Sequence, residues 1–280
     1  MPGCVPVLVY SEGSLVARLA WALGAMLFMV GACRPTPASS APPATKHASP
    51  APDRDTGATV APADESGWTV LAEEDGIVVT SRASEKSPLP VFRGIGVVEA
   101  SVVEVLAVVL DAGRHHEWVF SCSDSSLIEQ TTETTGIIYN RTATPWPVPD
   151  RDVVLDSEVE PIDGEREILV RFFATEHAQR PPEDGVVRMT YLRGHYHLWD
   201  EGQGRTRVEY QVDSDPGGRL PTWLATRGTR EMPLESLRGL RAQLVRTRGQ
   251  YDERLEALGQ AVRQAGPSTT SGARPASSAR

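Results

Sequence analysis

The strongest fold signal in the sequence is the stretch Pro145-Trp-Pro-Val-Pro-Asp-Arg-Asp-Val-Val-Leu-Asp-Ser-Glu-Val159. Its three prolines fix φ and remove backbone donors, so the chain must bend before it re-enters a sheet at Asp152. Two faces then alternate along the strand, Arg151, Val153, Leu155 and Val159 on one and Asp152, Asp156 and Glu158 on the other. The stretch therefore predicts a strand whose buried face carries an arginine.

Arg151 is the unusual member of that buried face, because a buried cation needs a partner. A phosphate or carboxylate of a ligand would serve, and so would a neighbouring carboxylate or a backbone carbonyl. Alternatively, the side chain snorkels to solvent or pins the strand edge. These interpretations stay open at the level of sequence.

Outward from this stretch, short runs rich in β-branched residues predict more strands, and one run predicts a helix. Ser101 is followed three residues later by Glu104, the spacing of a capping box, so a helix is expected from Ser101 to about Asp111. The predicted strands are a hairpin at 76–82 and 91–98, followed by an antiparallel meander at 126–132, 137–144, 152–159, 168–174, 186–191, 195–199 and 205–212.

Apolar residues return at intervals of three and four near the end of the folded region, which predicts one long amphipathic helix from Leu234 to Leu258. A series of strands followed by a helix that packs on them indicates an α+β domain with a curved antiparallel sheet. Such a sheet and helix enclose space between them. Either side chains or a ligand must fill it.

Composition divides the 280 residues into four parts. Residues 1–32 end in an apolar run of signal-peptide length, and residues 33–66 are a Pro/Ala/Ser-rich linker expected to be disordered. Residues 67–264 form the folded domain, and residues 265–280 are a second disordered tail. Val30-Gly-Ala-Cys33 resembles the lipobox of bacterial lipoproteins, which implies lipidation of Cys33 and tethering in the envelope. The alternative is an ordinary cleaved signal. Arg34 favours the periplasmic side of the outer membrane over the inner membrane.

The sequence contains no catalytic motif, no metal-ligand spacing and no cofactor loop, so we predict no catalytic residue, no metal and no cofactor. His195 and His197 share a strand face but lack an obvious third metal ligand. The net charge of −9 argues against nucleic acid. Seven arginines nevertheless cluster near the last helix, where they either attract anionic membrane or pair with neighbouring acids: Arg227, Arg230, Arg238, Arg241, Arg246, Arg248 and Arg254.

Two motifs of rare composition stand in the folded region, PWPVPDRD at 145–152 and DPGGRLPTWL at 215–224. Together they resemble signatures of the START (steroidogenic acute regulatory protein-related lipid-transfer) family. Supporting matches occur in the family's order along the folded region, including Glu117-Trp118 and Met232-Pro233. The resemblance implies a helix-grip fold that holds one lipid in an internal cavity under the C-terminal helix.

We therefore predict a non-catalytic lipid carrier or sensor in the cell envelope. The alternatives are an enzyme such as a cyclase or hydrolase that acts on a hydrophobic substrate in the same cavity, and an envelope interaction protein whose core is filled. Trp146 either caps the cavity mouth or packs as a structural corner. The predicted ligand-binding residues are Trp146, Arg151, Val153, Leu155, Val170, Phe172, Met189, Tyr191, Tyr210, Leu237, Leu240 and Leu244.

Overall fold

The computed structural model describes residues 67–265. The predicted signal peptide, Cys33, the linker and the tail beyond Ala265 lie outside this range. The strands are β1 (Thr69–Glu74), β2 (Ile77–Arg82), β3 (Val91–Val98), β4 (Cys122–Thr132), β5 (Thr135–Thr142), β6 (Arg151–Asp163), β7 (Glu167–Thr175), β8 (Val187–Arg188), β9 (Tyr191–Gly202) and β10 (Arg205–Asp215). The helices are α1 (Val102–Val109), α2 (Thr222–Arg246) and α3 (Asp252–Ala265), with a 3₁₀ helix at Ala112–Glu117.

All ten strands form one sheet, which confirms the α+β class. The order is β1-β2-β3-β10-β9-β7-β6-β5-β4, and β8 pairs with β6. The N-terminal hairpin therefore joins the last strand, because β3 pairs antiparallel with β10 from Phe92 to Val98. Helix α2 contacts β1, β2, β3 and β10. It therefore packs on the part of the sheet where the first three strands pair with the last one.

The capping box of α1 forms as predicted. The Ser101 backbone N–H donates to Glu104 Oε2 at 2.8 Å, and the Glu104 N–H donates to Ser101 Oγ at 3.4 Å. The apolar residues of the helix are buried, including Val102, Val105 and Leu106. Local hydrogen bonding and burial thus agree on where this helix begins.

The single long C-terminal helix is a wrong prediction. Helix α2 ends at Arg246, and Gly249 adopts a φ of 77°, a left-handed conformation that stops the helix before α3 begins. The apolar spacing continues across the break because both helices bury a face. Helix α3 packs against α1 and β6 rather than extending α2.

The strand predicted at Val186–Tyr191 is also corrected, as is the strictly antiparallel meander. Only Val187 and Arg188 pair, and they run parallel to Arg151 and Asp152 of β6. This short strand continues the sheet beyond the end of β7, whose pairing with β6 begins at Val154. Strand β1, which precedes the first predicted strand, was missed.

Two glycines of α2 meet different surroundings, which gives a direct test of the packing. A Cβ at Gly239 would overlap the Trp118 carbonyl oxygen, whereas a Cβ at Gly228 would meet no atom within 4 Å. We expect Gly239→Ala to lower the free energy of unfolding by about 1–3 kcal/mol through overpacking. Gly228→Ala is expected to raise it by up to about 1 kcal/mol through helix propensity. Urea unfolding of both variants measures the contrast, and shifts of the same sign would contradict this packing.

Candidate functional site

A cavity of about 210 Å³ lies between the sheet and the first half of α2. Side chains of β5, β6, β7, β9 and β10 form its wall, together with residues that follow α1. The lining is mainly apolar. It includes Val153, Val170, Met189 and Tyr210. If side chains filled the core, no void would remain between these four residues.

Aromatic rings form one wall of the cavity. Tyr196 and Tyr210 stack with their centroids 4.6 Å apart, and Phe172 lies 5.9 Å from Tyr196. Gly194 makes room for this arrangement, because a Cβ there would come within 2.6 Å of the Phe172 ring. The cavity therefore offers a hydrophobic ligand a preformed aromatic surface.

Seven of the predicted ligand-binding residues line this cavity. They are Arg151, Val153, Leu155, Val170, Phe172, Met189 and Tyr210. Strand alternation accounts for the six that lie in strands, because successive residues of a strand point to opposite faces, whereas Met189 follows the end of β8. That they contact a ligand stays a prediction.

Trp146 and Tyr191 lie off the cavity wall, contrary to expectation. The Trp146 side chain is 92% exposed, because the proline-rich loop carries it outward into solvent. Tyr191 points to the other face of β9, where its hydroxyl donates to Asp213 Oδ2 at 2.7 Å. Its neighbour Leu192 faces the cavity instead.

The three leucines predicted from α2 also lie off the wall. Leu237 and Leu240 are buried within the hydrophobic core, and the partly buried Leu244 packs against that core. The cavity is covered by the first half of the helix, through Leu224, Ala225, Gly228 and Met232. A signal was present in the sequence, because Leu224, Gly228 and Met232 recur every fourth residue.

His115 is a polar lining residue that sequence reasoning missed. Its Nε2 lies 2.9 Å from the Val109 carbonyl oxygen, and its Nδ1 lies 3.3 Å from Asn140 Oδ1. Desolvation lowers the pKa of His115, so the ring is neutral. Because a carbonyl oxygen can only accept, Nε2 of the neutral ring carries the proton and donates it to the Val109 carbonyl oxygen.

Cys122 lines the same cavity as an unreactive thiol. Burial raises the pKa of its thiol to about 11, far above the range in which a thiolate nucleophile forms.

Arg151 joins the two sequence motifs in space. The residue is 3% exposed, and its guanidinium donates to the carbonyl oxygens of Pro149, Gly217 and Arg219 at 2.5, 3.5 and 3.4 Å. Gly217 and Gly218 both have positive φ, so the turn before α2 can wrap around the guanidinium. The backbone-carbonyl interpretation of this arginine is thus observed.

Asp152 points away from the cavity but is also buried, at 2% exposure. Arg188 of β8 donates to both of its carboxylate oxygens, through Nε at 2.9 Å and Nη2 at 2.8 Å. This bidentate pair holds β8 beside β6 at the cavity wall. The alternation had suggested a solvent-facing aspartate.

The histidine pair of β9 belongs to the outer face of the sheet. His195 Nε2 lies 3.0 Å from Glu209 Oε1, and His197 Nε2 lies 2.9 Å from Glu167 Oε1. In the described residues, no three His, Cys, Asp or Glu side chains form a group that could hold a metal ion.

The arginines of α2 are largely engaged within the protein. Arg230 and Arg238 reach Glu74, Arg227 pairs with Glu231, and Arg241 donates to the Val97 carbonyl oxygen. Arg246 bonds to Gln243. These contacts favour the interpretation in which the basic residues pair with neighbouring acids.

Comparison with known proteins identifies the family. The START domain family model matches residues 58–248. The chain is a member of the START domain family. In this START protein, the matched region contains both motifs that meet at Arg151, and it ends just after α2.

Relatives of this START protein include a bacterial protein of known structure. A STAR-related lipid transfer protein from Xanthomonas axonopodis is 32% identical, covers 64% of this chain and 99% of its own, and superposes with a TM-score of 0.58. An uncharacterized Pseudomonas aeruginosa protein is 32% identical over 62% of this chain and 85% of its own length. Bovine phosphatidylcholine transfer protein is 24% identical over 57% of this chain and 75% of its own.

Proposed function

We propose that this START protein binds one hydrophobic lipid in the cavity beneath α2, as a non-catalytic carrier or sensor. The observation that carries the proposal is the cavity itself, with its largely apolar wall and aromatic surface. A side-chain-filled core would have closed the space between Val153, Val170, Met189 and Tyr210. The relatives named for lipid transfer support the same class of ligand.

The chemistry of the wall supports binding over catalysis. Among residues 67–265 the wall contains no carboxylate, the N–H of the neutral His115 ring donates to a backbone carbonyl, and Cys122 is held as a thiol. General acid–base catalysis needs a group with a pKa near the working pH that can reach the substrate. These groups are better suited to holding a ligand than to transforming it.

The first half of α2 is the natural cover of the cavity. At about 210 Å³ the cavity is smaller than the roughly 300–1,000 Å³ of typical ligand pockets. We infer that a lipid enters as this part of α2 moves outward, since Leu224, Ala225 and Gly228 form the wall there.

The envelope location is part of the proposal and rests on the sequence around Cys33. A cysteine after small residues and an apolar run supports lipidation, and the Pro/Ala/Ser-rich segment that follows would supply reach from a membrane surface. Within residues 67–265, no helix is long and apolar enough to cross a bilayer. A lipid-anchored protein on the periplasmic side of the outer membrane fits these features.

Native mass spectrometry of the purified full-length protein tests the function. We expect a co-purified lipid in one-to-one stoichiometry, or one-to-one uptake from a total bacterial lipid extract. The denatured mass of the same sample reports whether Cys33 carries acyl chains. Absence of any lipid from the purified protein, and of any uptake from the extract, would contradict the proposal.

A further inference from the structure

Arg151 is a cation inside an apolar cavity without a counterion. As far as residues 67–265 form it, the cavity wall contains this one Arg or Lys side chain and no Asp or Glu. The adjacent carboxylate, Asp150, is occupied elsewhere. Its Oδ2 accepts from Arg141 Nε at 3.0 Å, and its Oδ1 accepts from the Thr144 N–H at 3.0 Å.

The existing partners of Arg151 do not neutralise it. All three are backbone carbonyls, and two of them lie at 3.4 Å or more from the guanidinium. Nε has no hydrogen-bond partner among the described residues, although it is buried. Desolvation lowers the pKa of the guanidinium, and the nearby charge of Asp150 offsets only part of this effect. A buried donor left unpaired and a charge left uncompensated both cost stability.

The neighbouring wall is suited to a polar group at this end of the cavity. Thr142 of β5 is registered directly opposite Arg151 of β6, and both residues line the cavity. Val153 and Leu155 follow on the same face of β6 and lead toward the aromatic wall. The cavity is therefore polar and cationic at the Arg151 end and apolar where Val153 and Leu155 follow.

We propose that Arg151 is an anion subsite, and that the ligand of this protein carries a phosphate or carboxylate at the end of its hydrocarbon. The anion pairs with the Nε side of the guanidinium, where a donor is unsatisfied, and the hydrocarbon extends along Val153 and Leu155. Arginine suits this role because its planar fork matches both oxyanions. The inference rests on the proposed function, since it assigns the chemistry of the ligand's polar end.

Three probes with the same hydrocarbon chain test the subsite: palmitate, 1-palmitoyl-lysophosphatidate and the neutral 1-palmitoylglycerol. For the wild-type full-length protein, we expect one of the two anions to bind at least tenfold more tightly than 1-palmitoylglycerol, which corresponds to about 1.4 kcal/mol. The anion that binds more tightly distinguishes a carboxylate from a phosphate. Titration is followed by tryptophan fluorescence and confirmed by native mass spectrometry.

Variants separate the charge from the shape of the site. We expect Arg151→Gln to remove the anion preference while binding of 1-palmitoylglycerol changes less than about threefold, and Arg151→Lys to retain part of the preference. Arg166→Gln removes the same charge from the outer surface, where the side chain is 74% exposed, and should leave all three affinities unchanged. The wild-type measurement needs no variant, so equal binding of the three probes would overturn the subsite even where Arg151→Gln does not fold.

The outcomes distinguish this inference from the proposed function. Equal binding of all three probes by the wild type overturns the anion subsite and leaves lipid binding intact. An equal loss of all three affinities in Arg151→Gln also overturns the subsite, because the residue would then act only through the shape of the loops it joins. Failure of the wild type to bind any probe or any extracted lipid overturns both proposals.

Discussion

Replacing Asp152 with alanine is expected to lower the free energy of unfolding by about 3–5 kcal/mol, the range for removing one partner of a buried ion pair. Asp152 is 2% exposed and accepts two hydrogen bonds from Arg188. Without the carboxylate, Arg188 keeps only the carbonyl oxygens of Arg180 and Pro181, at 3.0 and 3.3 Å. Its charge is then uncompensated at the place where β8 joins the sheet.

The same strand offers a matched control. Glu160 of β6 pairs with Arg171 at 2.9 Å, but the Arg171 side chain is 58% exposed. Glu160→Ala should therefore cost less than about 1 kcal/mol. Urea unfolding at neutral pH gives both values. A cost for Asp152→Ala as small as that for Glu160→Ala would mean that the pair with Arg188 does not hold β8 in solution.

Filling the cavity is expected to abolish ligand binding while the fold survives. Val153 is buried on the cavity face of β6, so the indole of Val153→Trp would occupy much of a space of about 210 Å³. We expect lipid affinity to fall at least tenfold, or about 1.4 kcal/mol. The cost in stability should be about 1–3 kcal/mol, as for other small-to-large core substitutions. Native mass spectrometry measures the bound fraction, and circular dichroism measures folding.

Glu158→Trp controls for the new aromatic group, because it places the same side chain on the exposed side of the same strand. Binding should then match the wild type. If Val153→Trp fails to fold, Leu224→Trp fills the cavity from the α2 side instead. A folded variant of either kind that keeps full lipid occupancy would show that the ligand lies elsewhere.

Strand periodicity accounts for most of what could be predicted about the site. Along β6 and β7, Val153, Leu155, Val170 and Phe172 reach the cavity because alternation assigns a face to every residue once one face is buried. The capping box of α1 was equally readable, because Ser101 and Glu104 are local partners. In both cases the deciding interaction spans only a few residues.

Predictions failed where one sequence pattern is compatible with more than one structure. The apolar spacing of 234–258 suits one long helix as well as two helices packed on different surfaces, and the left-handed backbone of Gly249 selected the second. The leucines of α2 were assigned to the cavity, but a helical pattern does not say which turn faces a void and which faces the sheet. Tyr191 was predicted to line the cavity as the last residue of a strand at 186–191, but it begins β9 and its hydroxyl donates to Asp213 instead.

By itself, the sequence determined the α+β class, the START family motifs and the buried face of β6 that carries Arg151, because these depend on local periodicity and rare residues. Only the tertiary structure decided what surrounds that arginine. Its partners Gly217 and Arg219 lie 66 and 68 residues away along the chain, and the residues lining the cavity around it come from distant strands. Whether a buried charge is compensated depends on long-range packing, so the missing counterion of Arg151 became visible only in three dimensions.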